Sequence, residues 1–136
     1  MTPGTIILHP NFRFHDGGVS NKILISLGQH NDITVLAKTT SKGYRYDTAF
    51  GCQCEARFPC FHLVQNCCTL PKPTWVCLNE FYEFTGSELL LKRSAGEYRH
   101  MGDLSPDLTR LLIECVLSSD DISGRQENIV RAANGL

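Results

Sequence analysis

Two apolar runs that flank a polar turn constrain the fold of this chain more than any other feature. Residues 22–27 and 33–37 are short and rich in Ile, Val and Leu, and the segment from Gly28 to Asp32 between them has the composition of a turn. Short apolar runs bounded by such residues favour strands over helices. The sequence therefore predicts a buried β-hairpin.

The second strand of this hairpin runs out into hydroxyl and cationic side chains. Residues 38–42 read Lys-Thr-Thr-Ser-Lys, and Gly43 and Arg45 follow closely. Hydroxyl groups and cations at the mouth of a sheet suit phosphate oxygens. Two interpretations remain open at this stage: a site for a phosphate-bearing ligand, or a polar strand end with solvated lysines.

The charges of the chain are unevenly distributed. The net charge is -1, which argues against strong nonspecific binding to nucleic acid. Residues 1–60 nevertheless hold six Lys or Arg against four Asp or Glu, whereas residues 61–136 hold seven against ten. A polyanion such as RNA could bind the basic half only if the fold gathers Arg13, Lys22, Lys38, Lys42 and Arg45 on one face.

The N-terminal segment predicts one strand followed by a long loop. Gly4 to His9 is mainly apolar, and Pro10 is expected to end the strand because proline donates no ladder hydrogen bond. The loop from Asn11 to Asn21 contains His15 and Asp16 before two glycines. These two residues could contribute to acid–base chemistry, or they could form a solvated turn.

Further strands and one helix complete the expected architecture. Strands are predicted at 61–64, at 98–101 and, as a long central strand bent near Asn79, at 74–84; residues 44–50 could be a short strand or an extended loop. Ser105 and Pro106 suit a helix start, and apolar residues recur at helical spacing up to Val116. We therefore expect a mainly β fold with a C-terminal helix: a small, bent barrel over residues 1–118, followed by a polar tail or short peripheral helix over 119–136.

The cysteines allow more than one interpretation. There are seven, an odd number, so at least one cannot pair within the chain. Nothing in the N-terminal residues resembles a signal peptide, and no apolar run approaches the roughly 20 residues that span a bilayer, so we expect a cytoplasmic protein without a membrane span. In that reducing compartment we expect no disulfide framework. Cys52, Cys54, Cys60 and His62 are candidate zinc ligands by residue type. Their crowded spacing is atypical of zinc sites, and small core residues are the alternative.

The order of these features resembles the MazF/PemK family of toxin endoribonucleases, which are small SH3-like barrels with a C-terminal helix. Gly4-Thr5-Ile6-Ile7 is similar to the opening strand of that family. The run from Val35 to Ser41 is similar to its apolar strand ending in Thr-Ser, and residues 74–84 are similar to its late strand. Gly102 to Ser105 and the helix that follows are similar to its closing segment, so the resemblance covers roughly residues 4–118.

The resemblance implies cleavage of single-stranded RNA by its own 2′-hydroxyl group, without a metal or other cofactor. Thr40 and Ser41 stand at the Thr-Ser of the family and would be catalytic. The family's second-strand arginine is absent, and Lys22 occupies its place; Lys22 keeps the positive charge but lacks the planar guanidinium fork. His15 could supply acid–base function near neutral pH, an expectation that comes from its chemistry alone.

The implied partners follow from the same resemblance. Members of that family pair as homodimers and are blocked by an antitoxin protein that lies across the RNA groove. Two other functions remain open. One is a catalytically silent module that binds RNA or protein, and the other is an adaptor stapled by zinc at the cysteine cluster.

Overall fold

The protein is described over residues 1–136 by a computed structural model. Seven strands and three helices follow one another along the chain. The strands are β1 (Thr5–Arg13), β2 (Val19–His30), β3 (Ile33–Thr40), β4 (Gly51–Gln53), β5 (Cys60–Leu63), β6 (Thr74–Thr85) and β7 (Arg99–Asp103). The helices are α1 (Gly86–Ser94), α2 (Pro106–Leu117) and α3 (Gly124–Ala133), and a single 3-10 turn spans Gly43–Arg45.

All strands belong to one antiparallel sheet in the order β4-β5-β6-β3-β2-β1-β7. The fold is therefore mainly β with a C-terminal helix, as the sequence predicts. The edge strands β4 and β7 do not pair with each other, so the sheet is not closed. Neighbouring pairs are joined mostly by direct hairpins, which explains why consecutive strands lie side by side.

The predicted hairpin is confirmed as β2 and β3, but its turn is tighter than expected. Only Asn31 and Asp32 connect the strands, with φ of 50° and 64°. Asparagine and aspartate tolerate this left-handed conformation, which two-residue hairpin turns of the right twist require. Gly28 lies inside β2, at a register shift that follows Ser26.

The prediction that Pro10 ends the first strand is wrong. β1 continues to Arg13, and Pro10 lies at a bulge where the register with β2 shifts between His9 and Phe12. A bulge leaves the residue without a ladder partner, so the missing amide hydrogen of proline costs nothing there. The predicted long loop from Asn11 to Asn21 is therefore only the short connection of residues 14–18.

The central part of the prediction is confirmed. β5 and β6 form where expected, and the pairing of β6 with β3 skips from Val76 to Phe81, which places an irregularity around Asn79. Residues 44–50 form no strand; the 3-10 turn and an extended segment occupy this region.

The helices show one confirmed prediction and one omission. Ser105 caps α2 by accepting a hydrogen bond from the Leu108 amide at 3.2 Å. Helix α1 was not expected; Thr85 caps it, and only Leu89 on its face is buried, so its apolar pattern is weak. Residues 124–133 form helix α3 with a capping box at Ser123, so the segment is a helix and not a polar tail. The helix is not peripheral, because Ile129 and Val130 are buried in the main core.

The core lies between the sheet and helices α2 and α3. Its main cluster joins residues of the sheet with Leu112, Val116 and, from α3, Ile129 and Val130. A second cluster on the other face of the sheet includes Phe12, Leu24 and Tyr82. No helix combines the length and the apolar character that a membrane crossing requires.

Candidate functional site

A cavity of about 480 Å³ opens where the polar ends of β2 and β3 meet β6 and the segment that follows the 3-10 turn. Five of its lining side chains are cations and one is acidic, Asp121; we call this site the basic cavity. The cations are Lys22, Lys38, Lys42, Arg45 and Arg57. Asp121 and, through its ion pair with Lys38, Glu80 offset only part of this positive charge, so the cavity favours a polyanionic ligand.

Strand register brings the first two lysines together. Lys38 on β3 pairs with Leu24 on β2, which places Lys22 one step further along the same sheet face. The Lys22 Nζ donates a hydrogen bond to the Thr39 carbonyl at 3.1 Å, and Lys38 forms an ion pair with Glu80. Lys22 thus remains the less neutralised of the two charges.

Burial changes the acidity of Lys22. Partial desolvation lowers the pKa of its ammonium below the ordinary 10.5, and the nearby charges of Lys38 and Lys42 lower it further. A cation held in this way interacts strongly with any anion that enters, since a phosphate would relieve the repulsion between the lysines.

Trp75 on β6 fixes the segment that forms one rim of the basic cavity. A Cβ at Gly43 would lie 2.2 Å from the indole Cη2, so the backbone of the 3-10 turn packs directly against the ring. The indole Nε1 donates a hydrogen bond to the Asp47 carbonyl at 2.9 Å, and His62 stacks on the ring with centroids 4.2 Å apart. Tyr44 and Arg45 are thereby held at the rim.

Aromatic rings stand beside the cations at this rim. The Arg45 guanidinium lies 5.4 Å from the Tyr44 ring centroid and 5.5 Å from that of Phe58, and the Arg57 guanidinium lies 5.4 Å from Phe58. Tyr44 is 80% exposed, although large aromatic side chains usually bury their rings. Exposed aromatics between cations are typical of surfaces on which nucleic-acid bases stack.

The opposite rim leads into a smaller cavity of about 400 Å³, which shares Lys22 and Lys38 with the basic cavity and adds His15 and Glu80. The His15 Nε2 lies 3.1 Å from the Phe81 carbonyl, and the ring stacks on Tyr82 with centroids 4.1 Å apart. Since a carbonyl only accepts hydrogen bonds, Nε2 carries a proton, and in the neutral imidazole Nδ1 is then an acceptor. His15 is thus oriented despite lying on a turn.

The floor of the basic cavity is neutral. The Tyr46 hydroxyl lies 3.8 Å from the Cys77 Sγ, and burial raises the pKa of both groups above their ordinary values. Burial also raises the pKa of the neighbouring Cys60 thiol to about 11. The thiols therefore stay protonated near neutral pH and do not cancel the lysine and arginine charges.

The structure gathers most of the residues singled out from the sequence. Lys22, Lys38, Thr40, Lys42 and Arg45 line the basic cavity, and His15 lines the adjoining one. The Thr40 Oγ1 accepts a hydrogen bond from the Lys42 amide at 3.1 Å, which leaves its hydroxyl hydrogen available to a ligand.

Two predicted residues lie outside both cavities. Arg13 and Ser41 are exposed and line neither of them. Ser41 is adjacent to Thr40, but alternation along an extended chain directs neighbouring side chains to opposite sides. Arg13 is the last residue of β1, in a segment that the sequence predicted to be a loop.

Several residues that line the basic cavity were not among those singled out from the sequence, and they include Tyr44, Arg57, Phe58 and Asp121. Arg57 and Phe58 stand in a segment dominated by cysteines, and Asp121 follows α2 in the polar tail. Asp121 is held there because its amide and the Leu78 carbonyl both bond to the buried Ser119 hydroxyl. Exposed aromatics next to arginine were the one available signal for Arg57 and Phe58.

The candidate zinc ligands do not assemble as a set. Cys60 bonds to the Gln53 side chain at 3.5 Å, and His62 stacks on Trp75, whereas the Cys52 sulfur is bonded to Cys115. The expectation that the chain holds no disulfide is therefore wrong for Cys52. Cys115 is 63 residues further along the chain, a separation at which spacing carries no signal.

Comparison with known proteins does not place the chain in a family. No protein-family model matches it, and no curated protein matches it. A function for the chain therefore has to be argued from the basic cavity.

Proposed function

We propose that the chain is an endoribonuclease that cleaves single-stranded RNA in the basic cavity without a metal. The observation that carries this proposal is the concentration of five cations, a free hydroxyl and exposed aromatic rings around one cavity. In this proposal the open sheet is a variant of the SH3-like barrel of the MazF/PemK toxins, and the chain is the toxin of a toxin–antitoxin pair.

The ligand class follows from the two kinds of side chain at the rim. Arginine and lysine bind phosphate oxygens, and a guanidinium can do so through two parallel hydrogen bonds. Tyr44 and Phe58 offer ring faces on which unpaired bases can stack. Bases are accessible for stacking only in single-stranded segments, so a duplex is a poorer ligand for this surface.

The proposed reaction forms one bond and breaks another at the same phosphorus atom. The 2′-oxygen attacks and loses its proton to a base, and the 5′-oxygen leaves and takes up a proton from water, which yields a 2′,3′-cyclic phosphate and a 5′-hydroxyl end. Negative charge builds up on the equatorial oxygens in the transition state. Donors already aimed at that position lower the barrier.

Lys22 is the donor best placed for this charge. It is held by one bond to the Thr39 carbonyl, which leaves two N–H groups for phosphate oxygens. Thr40 can add a hydroxyl donor from the same cavity wall. In its neutral form His15 supplies the base through Nδ1, because Nε2 then holds the proton that is donated to the Phe81 carbonyl.

The proposed partners follow from the same charge pattern. An antitoxin segment that carries Asp and Glu could occupy the basic cavity and exclude RNA, since it would satisfy the same lysines and arginines. A homodimer would place two such cavities in one particle. A catalytically silent RNA-binding module is the second candidate, favoured by the lysine that stands where the resemblance expects arginine.

The test is cleavage of a mixed set of single-stranded RNAs by purified protein in excess EDTA, with the new ends analysed. We expect 2′,3′-cyclic phosphate ends, and no cleavage when the nucleotide at the cut carries a 2′-deoxy sugar. Cleavage that survives the 2′-deoxy substitution would refute attack by the 2′-hydroxyl. Tight binding without cleavage of any RNA would establish the silent module instead.

A further inference from the structure

A second cluster of reactive groups lies away from the basic cavity. The sulfur atoms of Cys52, Cys54 and Cys115 all lie within 4.8 Å of one another, and none of these residues lines the basic cavity. Cys52 and Cys115 are joined as a disulfide, while Cys54 is a free thiol. Neither the proposed cleavage reaction nor RNA binding uses these groups.

Strand β4 and helix α2 bring the three cysteines together. Cys52 lies in β4 and Cys54 two residues later, just past the strand end, so both thiols can point to the same side. Cys115 comes from the buried face of α2, which packs against β4. The Cα atoms of Cys52 and Cys115 are 5.6 Å apart.

We propose that, when the disulfide is reduced, Cys52, Cys54 and Cys115 bind one zinc ion as three thiolates. Thiolates are preferred zinc ligands, and a Zn–S distance of about 2.3 Å in a tetrahedron sets the sulfur atoms about 3.8 Å apart. The Cys54 sulfur already lies within 4.8 Å of the other two. After reduction, the Cys52 and Cys115 sulfurs have to move apart from their bonded positions, and rotation of the exposed Cys52 side chain can provide this movement.

The fourth zinc position would be open to water. Cys52 and Cys115 border a cavity of about 330 Å³ that also contacts Glu114 and Ser118. A cavity of this size holds several waters and gives the ion a route from solvent. The ligand set differs from the one expected from the sequence, because Cys115 replaces Cys60 and His62.

Zinc binding requires two steps, reduction of the disulfide and then replacement of the thiol protons by the ion. A phosphine attacks one sulfur of the disulfide and, with water, becomes the phosphine oxide; the two cysteines gain two electrons and two protons and become thiols. Zinc then displaces the three thiol protons as it binds. Reoxidation by a disulfide or a peroxide would remove two electrons, re-form the Cys52–Cys115 bond and release the ion.

The experiment uses the full chain reduced with a water-soluble phosphine and then freed of reductant without oxygen. Zinc chloride is titrated against a chromophoric chelator, and cobalt is substituted to read thiolate-to-metal absorption. We expect one equivalent of zinc and a cobalt spectrum of tetrahedral thiolate type. Cys54→Ser is expected to weaken zinc binding by at least about 100-fold, because loss of a ligand should cost more than the roughly 10-fold to 100-fold that loss of an outer-shell partner costs.

Cys68→Ser is the matched control, because Cys68 is a partly buried free thiol outside the cluster. It is expected to bind zinc like the wild type. Circular dichroism, and formation of the Cys52–Cys115 disulfide on oxidation, show that Cys54→Ser is folded. Absence of zinc binding by the reduced chain, or equal binding by wild type and a folded Cys54→Ser, would overturn the proposal.

Discussion

The two ends of the β2–β3 hairpin differ in what surrounds them. At the turn end, α3 and the start of α1 close over the backbone: a Cβ at Gly28 would lie 2.4 Å from that of Ala133, and the Gly86 amide donates to the Asp32 carbonyl at 2.9 Å. At the open end, no helix covers Lys22 and Lys38, and they line cavities instead. One pair of strands thus carries a packed end and a solvent-facing end.

Residues at the turn end of the hairpin should determine its stability, whereas residues at the open end should determine its function. Close backbone contacts at the turn end leave no room for larger residues, so changes there should act on the free energy of unfolding. Partly buried cations at the open end are costly to the fold and useful only with an anionic ligand. Changes there should therefore act on RNA cleavage and leave the fold intact.

The largest effect is expected for Lys22→Met, which removes the charge and keeps most of the side-chain volume. We expect RNA cleavage to fall by about 100-fold to 1,000-fold, as for the loss of one preorganised donor. The midpoint of thermal unfolding should not fall, because a desolvated charge is lost. Single-turnover cleavage and thermal melting measure the two quantities.

Lys22→Arg is the matched control, since it retains the charge and restores the guanidinium that the resemblance expects at this position. Because it keeps a positive charge near the phosphate, Lys22→Arg should cleave RNA about 10-fold faster than Lys22→Met. Cleavage by Lys22→Met at the wild-type rate would remove Lys22 from the mechanism.

Gly28→Ala should be the most destabilising change at the turn end. The residue has φ of +128° and its new Cβ would meet Ala133, so backbone strain and overpacking add to a loss of about 2–4 kcal/mol in the free energy of unfolding. Gly17→Ala is the matched control, because Gly17 has φ of +90° but no atom near the new Cβ. Denaturant titration compares them, and equal losses would show that α3 does not constrain this end.

Tyr44→Ala tests the aromatic rim of the open end. Loss of one stacking surface should weaken binding of a non-cleavable single-stranded RNA by about 10-fold, within the 1–3 kcal/mol range of base stacking. Stability should not change, since Tyr44 is 80% exposed. Phe50→Ala, which removes another exposed ring outside the basic cavity, should bind as the wild type does.

The smallest expected effect is on the pH dependence of stability, through the buried Cys60 thiol. Burial raises the pKa of Cys60 from 9.0 to about 11, so the folded state keeps a proton that the unfolded chain loses first. The stability associated with this proton is present below pH 9 and is lost as the pH rises toward 11. Cys60→Ala should show a shallower decline over that window in denaturant titrations; a decline as steep as that of the wild type would place the titrating group elsewhere.

Hydrophobic periodicity and capping residues predicted the strands of the hairpin better than they predicted the basic cavity. The hairpin, β6 and α2 follow from periodicity and caps, which are encoded by neighbouring residues. Pro10 misled the prediction because its acceptability depends on a bulge set by pairing with β2. Helix α1 was missed because Leu90 and Leu91 are exposed, so no apolar stripe marks it.

The basic cavity could be predicted only where its residues are close in sequence. Lys38, Thr40 and Lys42 lie at or just past the end of β3, and Lys22 lies on the neighbouring strand β2. Arg57 and Asp121 reach the basic cavity through tertiary contacts between distant segments. Composition and spacing carry no information about such contacts.

The most direct test of the account is to locate bound RNA on the protein. A fully 2′-O-methyl single-stranded oligonucleotide with photoreactive 4-thiouridine would be cross-linked to the intact chain and the modified peptides identified by mass spectrometry. We expect cross-links at Tyr44 or Phe58, on the rim of the basic cavity. Cross-links confined to the cavity beside α1 and β7, around Tyr98 and Leu90, would contradict it.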